Sequence, residues 1–447
     1  MELTNQRQKV SLSLLKKDAE TGKPLEGVVF GLYAQENIKN AAGEVVVEKD
    51  ALIELGTTDE EGKLVFQADL PHGKYYIQEV EHKPGYLPND EVYSFDASYT
   101  DQTLELLAFS EEISNQPTIT EFTKVDLTGG QEIEGAKMQI LDQDGKVVEE
   151  WVSKKEPHVV YALEPGEYVL HEEQAPTEQG YVRAEDVKFV VEETGDVQKV
   201  KMEDDHTKVS ISKTDITDGK EIEGAKLQIL DQDGEVVESW TTGEEHLIEY
   251  LPIGTYTLHE EAAVDGYIVA NDVEFTVEET GEIQKVKMED ERAMGQLVIV
   301  KTDTDSKTAL EGVEFVLLEK ETGEEVGRLK TGKDGKAVSE LLPIGTYENG
   351  VFKEPITYVL KETATLKGYE KTEEEWEIVF TYQNDKTPVI EVVKEIQNKK
   401  IPETPGTVKP GPKTGDDTNW FLPLLALGVS AGMVAGLLYY RKRHKKA

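Results

Sequence analysis

Residues 124–145 read KVDLTGGQEIEGAKMQILDQDG, and residues 213–234 repeat them almost letter for letter as KTDITDGKEIEGAKLQILDQDG. Looser copies are KKDAETGKPLEGVVF at 16–30 and KTDTDSKTALEGVEF at 301–315. In all four, a lysine stands ten residues before a Glu-Gly pair, and successive lysines are 108, 89 and 88 residues apart. A period close to the size of one small domain predicts a tandem array of four similar domains.

Composition limits the classes of function. The chain has 447 residues, with 90 acidic against 48 basic side chains and a net charge of −42. Such a surface repels nucleic acid and anionic lipid, so no nucleic-acid partner is predicted. There is no cysteine, which excludes disulfides, thiol catalysis and cysteine-based metal sites. If such a chain works outside the cell and needs a covalent cross-link, that cross-link cannot be a disulfide.

Alternating apolar and polar residues, as in KVSLSLL at 9–15, indicate half-buried strands, and Asp-Gly and Thr-Gly turns separate them. No segment before residue 421 has a helical period of useful length. Short strands at regular intervals predict an all-β fold built of sandwich domains. The predicted divisions are a tail at 1–8, domain 1 at 9–117, domain 2 at 118–206, domain 3 at 207–292, domain 4 at 293–400, a linker with a short motif at 401–420, an apolar segment at 421–440 and a basic tail at 441–447.

Two further signals recur in every domain. A strand of the form Tyr-x-x-x-Glu is followed by a Gly-Tyr pair, and each domain ends on an asparagine or an aspartate. Each domain therefore contains an early lysine, a glutamate in a late strand and a terminal amide or acid. In chain order these residues are Lys16, Glu79 and Asn115; Lys124, Glu172 and Asp204; Lys213, Glu260 and Asp290; and Lys301, Glu362 and Asn398.

This pattern resembles the Cna-B type, or SpaA-like, prealbumin-fold domains of Gram-positive surface proteins and pilins, over nearly all of residues 9–400. The resemblance implies Ig-like, prealbumin-like β-sandwiches, with domains 1 and 4 SpaA-like and domains 2 and 3 Cna-B-like. It also implies an intramolecular isopeptide bond in each domain. The lysine and the terminal Asn or Asp are the partners of that bond, and the glutamate assists the reaction.

The three residue types suit that chemistry. Burial lowers the pKa of a lysine and raises that of a carboxyl group, so a buried Lys–Glu pair can pass through its neutral forms. The neutral amine then attacks the Asn or Asp carbonyl, while the protonated glutamate polarises the carbonyl oxygen and shuttles protons. Because each domain reacts once, this is self-modification and the chain is not predicted to be an enzyme.

Other interpretations remain open from the sequence. These lysines could be solvated strand residues paired with glutamates on a surface, and Lys17 competes with Lys16 as the donor of domain 1. His171-Glu172 begins like the zinc motif His-Glu-x-x-His, but Ala175 replaces the second ligand. Residues 142–145 begin like a calcium loop without its closing ligands, and a hairpin turn is the favoured interpretation. No metal and no cofactor are predicted.

The C-terminal residues have a different composition. Prolines and glycines make 401–412 a semi-rigid extended linker. Residues 421–440 carry no charge and are long enough for a transmembrane helix, and residues 441–447 are basic, as on the cytoplasmic side of a membrane. The order of motif, span and basic tail resembles a sortase cell-wall sorting signal of the LPXTG type, with residues Gly411, Pro412, Lys413, Thr414 and Gly415 as its motif.

By that resemblance, sortase would cleave between Thr414 and Gly415 and join Thr414 to peptidoglycan, although the usual first residue of the motif is leucine and Gly411 stands there. The alternative is a plain membrane anchor. Residues 1–8 show no signal peptide, so we expect the chain to be part of a longer gene product or to begin at a misplaced start.

Taken together, these features predict a wall-anchored structural stalk on the surface of a Gram-positive bacterium. Sortase, peptidoglycan and, before sorting, the membrane would be its partners. The alternatives are a minor pilin at the tip or base of a pilus, joined to other pilins, and an adhesin that binds a host matrix protein. A backbone pilin is disfavoured because no Tyr-Pro-Lys type motif is found.

Overall fold

The structure is a computed structural model that describes residues 8–40, 42–99 and 103–402. This part of the chain consists of β-strands and one short 3₁₀ helix, Thr177–Gln179, so the predicted all-β fold is confirmed. In the described ranges, no helix has the length and apolar character needed to span a membrane. The predicted sorting motif and the apolar segment at 421–440 lie outside these ranges.

Domain 1 is a sandwich of two sheets with an additional short hairpin. One sheet has the strand order β6-β1-β9 and the other β5-β2-β7-β8, while β3 and β4 form the hairpin. The strands are β1 (Lys9–Asp18), β2 (Val29–Ala34), β3 (Ile38–Lys39), β4 (Val45–Val47), β5 (Leu52–Thr57), β6 (Lys63–Val65), β7 (Lys74–Glu81), β8 (Val92–Asp96) and β9 (Leu106–Asn115).

Domain 2 has two four-stranded sheets, ordered β13-β10-β17-β15 and β12-β11-β14-β16. Its strands are β10 (Ile119–Asp126), β11 (Lys137–Leu141), β12 (Val147–Val152), β13 (His158–Tyr161), β14 (Gly166–Gln174), β15 (Tyr181–Val182), β16 (Val187–Val191) and β17 (Val197–His206).

Domain 3 repeats this arrangement, with the orders β21-β18-β25-β23 and β20-β19-β22-β24. Its strands are β18 (Lys208–Asp215), β19 (Lys226–Leu230), β20 (Val236–Thr241), β21 (His246–Glu249), β22 (Gly254–Ala262), β23 (Tyr267–Ile268), β24 (Val273–Val277) and β25 (Ile283–Arg292).

Domain 4 again has two sheets, β28-β27-β33-β34 and β29-β26-β30 with β35 beside β26, and it adds the hairpin β31-β32. Its strands are β26 (Met294–Asp303), β27 (Glu314–Glu319), β28 (Glu325–Lys330), β29 (Lys336–Val338), β30 (Leu342–Pro343), β31 (Gly345–Glu348), β32 (Val351–Pro355), β33 (Thr357–Ala364), β34 (Glu375–Val379) and β35 (Val389–Asn398).

The first and last strands of every domain lie side by side and run parallel. The pairs are β1 with β9, β10 with β17, β18 with β25, and β26 with β35. This is the adjacency expected for strands that carry the lysine and the terminal Asn or Asp. Each domain has its own buried apolar cluster between the two sheets.

Candidate functional site: a buried lysine, glutamate and amide or acid in each domain

The first strand directs its lysine into the core by simple alternation. In β1, Leu12, Leu14 and Lys16 are buried on the same face, and Lys16 is 0% exposed. Lys17 points the other way, is partly exposed and pairs with Glu112 Oε2 at 2.7 Å. The geometry therefore favours Lys16 over Lys17 as the donor of domain 1.

The parallel register brings the terminal residue of the last strand close to the lysine. Lys16 lies opposite Ile113, two residues before Asn115, and Asn115 itself lies opposite Asp18. The other three domains have the same two-residue offset. Since residues i and i+2 share a face of a strand, the lysine and the terminal side chain both point into the core.

The glutamate comes from the opposite sheet. In domain 2, Glu172 on β14 pairs with Met138 on β11, directly beside an irregularity in the strand register. The backbone N–H of Ala184 donates to Glu172 Oε2 at 2.8 Å. Glu79 and Glu260 each accept a comparable backbone N–H, from Asn89 and Ala270. In these three domains the glutamate is thus held by a backbone N–H of the loop that leads into the neighbouring strand of its own sheet, while its side chain faces the lysine.

In the asparagine-bearing domains the three side chains form a closed ring of hydrogen bonds and an ion pair. In domain 1, Lys16 Nζ lies 2.5 Å from Asn115 Oδ1 and 2.8 Å from Glu79 Oε2, and Asn115 Nδ2 donates to Glu79 Oε1 at 2.9 Å. Domain 4 repeats this ring. Its distances are 2.5 Å for Lys301 to Asn398, 2.8 Å for Lys301 to Glu362 and 2.7 Å for Asn398 to Glu362.

In the aspartate-bearing domains the ring is not closed, because aspartate has no N–H to donate to the glutamate. Lys124 contacts Asp204 Oδ1 and lies 2.9 Å from Glu172 Oε2, and Lys213 contacts Asp290 and Glu260 in the same way. The other oxygens, Glu172 Oε1 and Asp204 Oδ2, are buried and have no hydrogen-bond donor. The corresponding oxygens of domain 3, on Glu260 and Asp290, also have none. Two buried carboxyl groups placed in this way require a shared proton. In domains 1 and 4 the N–H of the asparagine takes the place of that proton.

Burial sets the acid–base properties of the site. It lowers the pKa of Lys16 and of Lys301, although the adjacent glutamate opposes that shift. Burial, together with the charge of Glu172, raises the pKa of Asp204 to about 7 despite the attraction of Lys124. Asp290 is raised to about 7 for the same reasons, with Glu260 in that role. Both trends favour neutral forms of the reacting groups.

A further buried residue at the site was not singled out by the sequence reasoning. Two positions after each lysine stands an aspartate, opposite the terminal residue in the strand register: Asp18, Asp126, Asp215 and Asp303. All four are buried. The repeated Lys-x-Asp spacing was the available signal.

These aspartates are ionised and accept several hydrogen bonds, as Asp18 illustrates. Asp18 Oδ1 accepts two turn N–H groups, and its Oδ2 accepts the Tyr86 hydroxyl at 2.8 Å. Burial would raise the pKa of Asp18, but these hydrogen bonds outweigh it and hold the pKa below its usual value. The tyrosine of the Gly-Tyr pair thereby connects the end of the lysine strand to the segment between β7 and β8.

The structure also places the residues of the two weaker motifs. Asp142 and Gly145 form the β11–β12 hairpin turn, in which Asp142 Oδ1 accepts the N–H groups of Asp144 and Lys146. His171 Nδ1 lies 2.7 Å from Asp186. Across the described ranges, no group of three or more acidic or histidine side chains is arranged to hold a metal ion.

Comparison with known proteins places the four domains in one family. The model of the SpaA prealbumin-like fold domain matches residues 10–109, 118–206, 207–292 and 295–396. No curated protein gives a significant match.

Comparison with solved structures gives low sequence identities and low TM-scores. The Bacillus anthracis TIE protein is 22% identical, with 88% of this chain and 73% of that chain covered and a TM-score of 0.46. BcpA, the major pilin subunit of Bacillus cereus, is 14% identical, with 64% and 100% covered and a TM-score of 0.27. A streptococcal ancillary pilin is 15% identical, with 89% and 100% covered and a TM-score of 0.19. The family assignment rests on the four matched segments, and the chain belongs to the SpaA family of prealbumin-like fold domains.

Proposed function

We propose that this protein is a structural surface protein: a stalk of four β-domains, each stapled by an intramolecular isopeptide bond between its first and last strands. The observation that carries the proposal is the same buried lysine, glutamate and terminal Asn or Asp in all four domains, with each lysine in contact with both partners. Four buried lysines in such contacts are hard to explain as ordinary solvated strand residues, because buried charges are costly.

In domains 1 and 4 the reaction releases ammonia. The lysine first passes a proton to the glutamate and becomes a neutral amine. Its Nζ then attacks the Cγ of the asparagine, and the glutamate proton stabilises the developing charge on the amide. The bond from Cγ to Nδ2 breaks, Nδ2 leaves as ammonia with a proton that originated on Nζ, and an amide bond joins the two side chains. The fold supplies proximity, worth roughly 7–11 kcal/mol of barrier.

In domains 2 and 3 the same attack releases water. Here the aspartate must react as the neutral acid, because a carboxylate repels the nucleophile and its oxygens are poor leaving groups. The raised pKa of Asp204 supports that form. The bond from Cγ to one oxygen breaks, and that oxygen leaves as water with its own hydrogen and a proton delivered by Glu172. Glu172 in turn takes up the proton that Nζ loses when the amide forms.

The staple would serve a chain under tension. Lys124 and Asp204 are 80 residues apart, so the bond closes nearly the whole domain into a loop. By analogy with a disulfide, this constraint on the unfolded chain is worth about 4–5 kcal/mol. No reductant can open it, which suits a chain without cysteine.

The location belongs to the same proposal. A sortase would join Thr414 to peptidoglycan after the segment at 421–440 has held the chain in the membrane. The four domains would then project from the wall of a Gram-positive cell. This part rests on the sequence of residues 411–447, together with the family of the four domains.

Peptide mapping tests the chemistry directly. A digest of the folded protein should contain a branched peptide in which Lys124 is joined to Asp204, with one water fewer than the two separate peptides. Recovery of both peptides in unlinked form from folded protein would overturn the proposal.

A further inference from the structure

The second domain is completed by a residue of the third. Tyr250 stands just after β21 in domain 3, with a left-handed backbone (φ 61°). Its ring stacks on His206 at a centroid distance of 3.9 Å and meets Tyr181 edge-on at 5.6 Å. Gly180 allows this approach, because a Cβ there would lie 2.4 Å from the Tyr250 carbonyl.

The Tyr250 hydroxyl reaches into the site of domain 2. It donates to Asp126 Oδ2 at 2.8 Å, across 124 residues of sequence. Asp126 lies opposite Asp204 in the β10–β17 register and is 1% exposed. Burial would raise the pKa of Asp126, yet hydrogen bonds from Gly129, Tyr250, Thr128 and Tyr181 keep it low. The buried negative charge of Asp126, which lies beside β17, is therefore stabilised in part by a hydrogen bond from the next domain.

The equivalent junction between domains 1 and 2 lacks this link. Ala162 takes the place of Tyr250, with the same left-handed backbone (φ 60°), and packs against Gly85 of domain 1. Alanine has no hydroxyl, and Asp18 accepts its phenolic hydrogen bond from Tyr86 of its own domain. The backbone geometry of these two junctions is thus shared, whereas the hydrogen bond into the site is made at the junction of domains 2 and 3 and not at that of domains 1 and 2.

We propose that Tyr250 is a positioning residue for the bond-forming site of domain 2, so that Lys124 and Asp204 join efficiently only after domain 3 has folded and docked. This inference rests on the proposed isopeptide chemistry. Without the hydroxyl, Asp126 keeps a buried negative charge with one donor fewer. The end of β10 then loses part of its anchorage, and the acceptor strand paired with it shifts relative to the lysine.

The proposal predicts an order of events during synthesis. Domain 2 leaves the ribosome before domain 3, yet its bond should wait for its neighbour. Domain 1 should close without such a delay, because Tyr86 belongs to domain 1 itself. Coupling of the domain 2 site to this junction would confine the staple of domain 2 to chains in which domains 2 and 3 have stacked correctly.

The test follows bond formation in newly made full-length chains. Cell-free synthesis is stopped at intervals, and the branched peptides of all four domains are quantified in the same sample. Tyr250→Phe should slow linkage in domain 2 by about tenfold, since a misplacement of 1 Å can cost up to about a hundredfold. Domains 1, 3 and 4 should link at the wild-type rate. Tyr161→Phe, which removes an exposed hydroxyl on domain 2, is the matched control and should change nothing.

Hydrogen exchange separates positioning from a loss of structure. The N–H of Thr207, which donates to Gly180, and that of Tyr250, which donates to Thr207, should stay protected in Tyr250→Phe. The inference is overturned if domain 2 links at the wild-type rate, if all four domains slow together, or if domain 2 loses its exchange protection throughout. Absence of linkage in the wild-type chain would instead refute the isopeptide chemistry itself, and this inference with it.

Discussion

Lys16 Nζ lies 2.5 Å from Asn115 Oδ1, although 99 residues separate the two along the chain. The parallel pairing of the first and last strands of the domain makes this contact possible. A covalent bond at this point would connect the end of β1, the strand by which the chain enters the domain, to the end of β9, the strand by which it leaves. Pulling force would then pass through the bond, and the sheets between would carry little of it.

The glutamate is the residue whose removal should isolate the chemistry. Glu172→Ala should leave domain 2 unlinked, because Lys124 loses the group that takes up its proton. Once the change in composition is allowed for, the mass of the variant should retain one water that the wild type has lost. Domain 2 should lose about 4–5 kcal/mol of stability, the value of closing so long a loop. Denaturant titration and timed proteolysis provide the stability measurement.

Glu173→Ala is the control for that experiment, since Glu173 is the exposed neighbour on the same strand. It should lose the same number of water and ammonia molecules as the wild type, relative to its own sequence mass, and it should keep the wild-type stability. If Glu172→Ala still loses the water of domain 2, relative to its own sequence mass, this carboxyl group is not needed for any reaction in that domain.

Linkage should respond to pH in opposite directions in the two kinds of domain. The pKa of Asp204 is raised from 3.8 to about 7, so its reactive acid form is lost as the pH rises through about 7. Linkage in domains 2 and 3 should fall above that pH, by up to about tenfold per pH unit. In domains 1 and 4 burial lowers the lysine pKa, so a rising pH increases the neutral amine and linkage should hold or accelerate.

Time courses of the four branched peptides, taken from one sample at each pH, measure this difference. Since all four reactions occur in the same molecule, each domain serves as a reference for the others. A common pH profile in all four domains would contradict the role assigned to the aspartic acids.

The junction between domains 2 and 3 can be tested at one glycine. Gly180 has a φ of 79°, and a methyl group added there would collide with the Tyr250 backbone. Gly180→Ala should therefore separate the two domains and expose the N–H of Thr207 to hydrogen exchange. Gly145→Ala is the matched control, because Gly145 has a φ of 77° and open space around it. It should pay only the backbone cost, about 1–2 kcal/mol, and leave the junction closed.

The anchor is tested at Thr414. Thr414→Ala should abolish the covalent wall link, so that the protein appears in the membrane fraction and the medium instead of the muramidase-released fraction. If detergent alone extracts all of the wild-type protein from intact cells, the segment at 421–440 is a simple membrane anchor and the sortase assignment is wrong.

Much of this organisation could be predicted from the sequence, because the repeats present the same residues at the same spacing. Alternation in β1 also distinguishes Lys16 from Lys17, since Leu12 and Leu14 fix which face is buried. The contact between Tyr250 and Asp126 could not be predicted. It depends on how one domain stacks on the next, and the repeat pattern carries no signal for that angle. The hairpins β3-β4 and β31-β32 also escaped prediction, as neither occurs in domains 2 and 3.

Covalent closure of all four domains would be visible in the intact mass of the folded repeat region. We expect a mass lower than the sequence value by two ammonia and two water molecules, from Asn115, Asn398, Asp204 and Asp290. Replacing all four glutamates by alanine should abolish all four losses beyond the change in composition. A wild-type mass equal to the sequence value, measured on protein shown to be folded, would contradict the account.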